Sequence, residues 1–272
     1  MKKTKGKRIA AGLLGGALLI GLLLFANAFV GNPISHFLAR RHADAHLAEH
    51  YGETDYTIDS VNYSFKDGSY WAKIFSPSSQ DSHFTLLYDA LGHLQFDSFE
   101  NDVLSRNNTA QRLDGEYRDR CHAILNSPSF PEKLSVGYGT LIFSSTDAGE
   151  PGAVPEPFPI QELELDQHYD LAPLAAQHGV LVLSLETTDV SPEHAAQVLL
   201  ATRRQMEDAN FPFFSMDLTL DAPRNQEGTR TAPSLSLMNF AWDDIQEEGL
   251  SQRVADSIAA TKDYYQRMDA LK

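Results

Sequence analysis

The sequence predicts an α+β protein in which an amino-terminal transmembrane helix is followed by two small subdomains, each of antiparallel strands covered by helices. Three observations lead there. An uncharged apolar run occupies residues 9–30. Beyond it, segments in which apolar residues recur every second position alternate with segments of helical period. Only one strand-helix-strand unit is apparent, which argues against a doubly wound sheet.

The apolar run reads IAAGLLGGALLIGLLLFANAFV, from Ile9 to Val30. As a helix it would be about 33 Å long, against roughly 30 Å for a hydrocarbon core. Lys2, Lys3, Lys5, Lys7 and Arg8 precede it, with no acid among them. By the positive-inside rule residues 1–8 form a cytoplasmic tail, and everything from Gly31 onward lies outside. The motif Ala26-Asn27-Ala28 also fits a signal-peptidase site, so a leader cleaved after Ala28 competes with an anchor; the length of the run favours the anchor. A single-pass cell-membrane protein is therefore expected, with the bilayer as a partner through that helix.

The chain carries 22 Lys and Arg against 37 Asp and Glu. Removing the five basic residues at the start leaves 17 against 37 over residues 31–272, a formal charge of −20. Such a field repels phosphate, which excludes a nucleic-acid partner and favours cations or basic proteins. Cys121 is the sole cysteine, so neither an intramolecular disulfide nor a cysteine metal cluster can form.

Asn32-Pro33 has the order of an N-cap and a first helical residue, and Gly52 closes that helix. Phe37, Leu38, Ala45, Leu47, Ala48 and Tyr51 fall on one half of its circumference, the expected packing face. His42, His46 and His50 run beside that arc, with His36 just upstream. A pair at i and i+4 can hold one metal ion, but His42 and His50 lie about 12 Å apart along the axis, so three on one helix cannot share one. No HExxH spacing supplies further ligands. The plain reading is a polar helix flank whose charge rises in acid.

Two strands, 56–65 and 69–75, flank the turn Lys66-Asp67-Gly68; two more follow at 84–88 and 93–96. Between the second and third lies SPSSQDSHF, which places Ser78, Ser79, Asp81 and His83 together, the residue types of a nucleophile, an acid and a base. A catalytic triad is a spatial relation rather than a local run, and Pro, Ser and Asp between strands read as a loop. Residues 99–125 regain helical spacing, with Val103, Ala110, Leu113, Tyr117, Cys121 and Ile124 on one stripe. This makes Cys121 buried filler rather than a reactive thiol. A strand at 134–143 carries Gly137 and Gly139 on one face, without the helix and Lys of a phosphate loop.

Four prolines between residues 151 and 159 mark a linker over 146–160, separating an N-terminal domain, 31–145, from a C-terminal one, 161–272. In the latter, 179–186 reads as a buried strand, and Ser191-Pro192-Glu193 starts a helix with the stripe Ala195, Val198, Leu199, Thr202, Met206 and Ala209. Strands at 213–220 and 235–240 are expected to be neighbours. A last helix bears Leu250, Val254, Ile258, Thr261, Tyr265 and Met268.

The order of parts resembles a known family. A basic start, an apolar span, NPIS opening a helix that ends at YG, then VNYSFKDGSYWAKIFSPSSQDSHFTLLYD and RLDGEYR are similar to the YfjL-like family of uncharacterised, membrane-anchored bacterial proteins. The similarity is greatest over residues 31–145 and extends beyond the prolines through ELELDQHYDL and SPEHAAQVLLATRRQMEDANFPFFSMDLTL. The resemblance implies a single-span protein with an outward α+β domain and no catalytic residues to carry over. The helix-plus-meander region is also similar in arrangement to PepSY-like and cystatin-like modules, a likeness of fold alone.

The expected function is a non-enzymatic binding or accessory module of the bacterial envelope with an envelope protein as partner. No catalytic, cofactor-binding or metal-binding residue is assigned and no cofactor is expected. The alternatives are an extracytoplasmic hydrolase using Ser79, Asp81 and His83, a metal enzyme using His42 and His46, and a pH-responsive sensor working through the histidine flank.

Overall fold

The structure, a computed structural model, describes residues 12–18, 21–22, 25, 29–144 and 149–271. The expected membrane span over Ile9–Val30 is overturned. Among the described residues no helix is long and apolar enough to cross a membrane. The basic cluster and Ala26–Ala28 lie outside the described residues. The single-pass topology, the cell-membrane location with an outward C-terminal part, and the bilayer and envelope protein as partners all rested on that helix and fall with it.

Two compact units are present: one runs through Thr109 and includes Glu164–Asp166, the other comprises Ala110–Leu163 and the chain from Gln167 on. In the first, α1 spans Pro33–His50, and the Asn32 side chain accepts from the Ile34 amide at 2.9 Å. This is the cap that Asn-Pro predicts. Four antiparallel strands follow, β1 (Thr57–Ser64), β2 (Ser69–Ser76), β3 (Ser79–Tyr88) and β4 (Leu94–Asp97), paired in chain order. Val61, Tyr70, Ala72, Ile74, Phe84, Leu86 and Tyr88 form the inner face, which α1 covers.

The helix does not pack on the arc that hydrophobicity suggests. Its buried positions are Ser35, Ala39, Ala43 and Leu47, whereas Phe37 is 61% exposed. Three small side chains spaced by four make a flat seam, and a flat seam lets a helix backbone approach a sheet to interior packing density.

The helix expected over residues 99–125 is two pieces. A π-helical turn, Glu100–Leu104, precedes α2, Asn107–Leu125, and between them Arg106 adopts φ 67°, a left-handed conformation that ends one helix before the next begins. The whole stripe is buried, yet Val103 belongs to the core of the first unit and Ala110 through Ile124 to that of the second.

In the second unit, β5 (Val136–Leu141), β6 (Gly179–Glu186), β7 (Ser215–Asp221) and β8 (Leu235–Ala241) form a sheet in that order, with α3 (Leu171–His178), α4 (Pro192–Asp208) and α5 (Leu250–Ala270). The sheet is mixed rather than purely antiparallel. β6 and β7 run parallel because α4 carries the chain back between them, as a parallel pair requires. Ser191 caps α4 by accepting from the His194 amide at 3.2 Å. In α5 Tyr264 is buried and Tyr265 is half exposed, one position off the expected stripe. Gly139 is where α2 meets β5: a Cβ there would lie 2.5 Å from both Cys121 Sγ and Tyr117 Cε1. Burial pushes the Cys121 thiol up to about 12, as befits inert core filler.

Candidate functional site

Three of the four histidines at the front of the chain meet partners on the sheet or its loops, and His50 is exposed. His36 Nε2 lies 2.9 Å from the Val61 carbonyl oxygen, His42 Nδ1 bonds the Gly92 carbonyl, and His46 Nε2 lies 2.9 Å from Asp97 Oδ2. Gly92 sits at φ +82°, and a Cβ on it would come within 2.7 Å of His42 Nδ1. Glycine therefore serves both the turn and the close approach of the histidine. Tyr51 donates to the same Asp97 oxygen at 2.9 Å, and burial, then Asp97, raise its hydroxyl well above the ordinary phenol range. These side chains tie α1 to the sheet. Among the described residues no group of three His, Cys, Asp or Glu is placed to hold a metal ion.

The SPSSQDSHF stretch is a strand, not a loop. Only Pro77-Ser78 turns, and Ser76 pairs directly with Ser79. The next paired residues are Phe75 and His83, so Gln80, Asp81 and Ser82 form a bulge on β3. Side chains from distant points secure that bulge. Asp81 N donates to Asp166 Oδ1 at 3.0 Å, Asp166 N donates back to Asp81 Oδ2 at 2.9 Å, and Asn108 Nδ2 donates to the carbonyls of Asp81 (2.9 Å) and His83 (2.6 Å). Asp166 reaches this geometry with φ 61°. The adjoining turn is pinned by Asp55, which accepts from Ser76 Oγ at 2.5 Å and Ser78 N at 3.1 Å. The Ser76 and Ser78 hydrogen bonds hold the Asp55 carboxyl below its usual range.

Bulge and turn border an open cleft of about 510 Å³, lined by Phe75, the Ser76–Ser79 turn, Gln80, His83 and Asp166. Ser79 Oγ is shielded from solvent without a hydrogen-bond partner, an arrangement that costs about 1–3 kcal/mol if it stays so. The cleft contains Ser79 and His83 but does not join them as nucleophile and base. Ser79 Oγ has no hydrogen-bond partner, so no bond links it to His83, and the Asp81 carboxylate accepts from Asp166 N. Of the cleft residues, the sequence singled out Ser78, Ser79 and His83. It missed Phe75, whose outward position follows from strand alternation, and Gln80. It also missed Asp166, which lies 85 residues from Asp81 and leaves no local signal.

Comparison with known proteins follows the first unit closely. No curated protein matches the chain. Among solved structures, a DUF5037 family protein from Ruminococcus gnavus is similar at 10% identity, with 82% of this chain and 98% of that chain covered and a TM-score of 0.24, a likeness that carries no argument about fold or function. The model of the YfjL-like, N-terminal domain matches residues 6–97, ending at the last residue of β4. Residues 6–97 therefore match a YfjL-like N-terminal domain.

Proposed function

We propose that this chain is a binding module rather than a catalyst and that it recognises its ligand at the β2–β3 cleft. The observation that carries this reading is the state of the cleft's polar groups. Asp55 and Asp81 are engaged in holding turn and bulge, and Asp166 holds the Asp81 amide through Oδ1, whereas Gln80 and His83 line an open cleft beside an exposed ring. A catalyst needs its groups in mutual contact; a binding surface needs them facing outward with capacity to spare.

The test is to assay the purified chain on chromogenic esters, phosphoesters and glycosides alongside Ser79→Ala and His83→Ala. Any turnover is expected to be the same in all three proteins. A loss of about 10²-fold or more in either variant, with the circular dichroism spectrum unchanged, would overturn the reading in favour of a hydrolase.

A further inference from the structure

Resting on that cleft reading, we propose that the ligand is a neutral saccharide chain. Phe75 is 38% exposed and stands at the rim as a flat apolar platform, the surface on which the C–H face of a pyranose stacks. Around it are a carboxylate, a primary amide, an imidazole and hydroxyls, groups that together donate and accept. Vicinal hydroxyls need both roles from neighbours in one plane, and Asp166 and Gln80 are the planar groups that meet a diol in two-point fashion. Asp166 Oδ1 is held by the Asp81 amide, which orients the carboxylate and leaves Oδ2 for a ligand.

The lining also rules against other classes. The cleft holds no Lys or Arg and the chain's formal charge is −15, so an anionic chain would meet one cation on the outer face of β2, Lys73 between Trp71 and Phe75, within a net repulsive field. The site is an open cleft rather than an enclosed apolar cavity, which suits a chain that enters along its length. One feature of the same sheet face sets that length. Trp71 lies four positions before Phe75 on β2, points outward at 41% exposure, and is fixed by Nε1 donating to Ser69 Oγ at 2.7 Å. At strand rise the two rings are about 13 Å apart, the span of two to three sugar units. A tetrasaccharide seated on Phe75 therefore reaches Trp71, while a disaccharide does not.

The experiment is calorimetric titration of the full chain with hits from an array of neutral glycans, followed by the dimer and tetramer of each hit, and with penta-lysine as the competing ligand chemistry. At least one neutral tetramer is expected to bind, with affinity reduced tenfold or more in Phe75→Ala and in Asp166→Asn, which keeps an Oδ1 for the Asp81 amide. Trp71→Ala is expected to weaken the tetramer and leave the dimer unchanged. Gln80→Ala, a surface truncation, is expected to weaken both. No binding to any neutral glycan by the folded chain overturns the saccharide. If penta-lysine then binds and Asp166→Asn abolishes it, the cleft remains a binding site for a cationic peptide. If neither binds, the binding-module reading falls as well.

Discussion

The residue with the clearest electrostatic cost is Asp217 on β7. Burial pushes its carboxyl above the usual range, the Asn239 N–H at 2.8 Å from Oδ1 opposes that shift, and Glu150 nearby adds to it. With the folded value above the unfolded one, the folded state binds this proton more tightly, so stability is greatest in acid and declines as pH rises through the folded value. Asp217→Asn preserves the acceptor for Asn239 and removes the charge. Its melting midpoint at pH 7 is expected to exceed that of the parent chain, with a flatter dependence between about pH 4 and 7. A midpoint lowered at pH 7 would show that the carboxylate contributes more than its burial costs. No residue pattern announces this site, because the shift comes from neighbours 22 and 67 positions away in the chain.

At the scale of elements, α1 is held to its sheet by shape and by polar ties together. The alanine seam brings the backbone close, and closeness places His36, His42 and His46 within reach of Val61, Gly92 and Asp97. Asp97 is the tie shared by two side chains, since His46 and Tyr51 both contact its Oδ2. Asp97→Ala strands a part-buried phenol and an imidazole at once and is expected to cost about 2–3 kcal/mol in urea unfolding. His46→Gln is expected to cost about 1 kcal/mol, because Tyr51 keeps its acceptor. Equal losses in the two variants would mean that Tyr51 finds water when Asp97 is gone. The histidine spacing was visible in the sequence, but the acceptors were not. Helical periodicity places side chains on a face without naming what that face meets.

At the scale of the molecule, the first unit is discontinuous in sequence: it takes Glu164–Asp166 from far along the chain to complete the β3 bulge. This makes a prediction about truncation. In hydrogen exchange the Asp81 amide, which donates to Asp166 Oδ1 at 3.0 Å, is expected to be protected in the full chain and to exchange faster in a fragment of residues 31–109. Equal protection in both would place the stability of the bulge in Asn108 and the strand pairing alone.

Local chemistry was legible wherever one residue type at one position suffices. Asn32-Pro33 and Ser191-Pro192 capped their helices, and alternation placed the strands of both sheets. The sequence by itself determined an α+β protein with meandering strands first and a strand-helix-strand unit later. It also suggested a membrane span that no helix among the described residues supports, since apolar composition is necessary for a span but not sufficient. Only the tertiary structure decided which face of α1 packs, that SPSSQDSHF is a bulged strand, and that Asp166 joins it to border a cleft. Those outcomes depend on shape complementarity and on hydrogen bonds spanning tens of residues. A one-dimensional pattern carries neither, since it records what each residue can bury or donate and not which partner lies opposite.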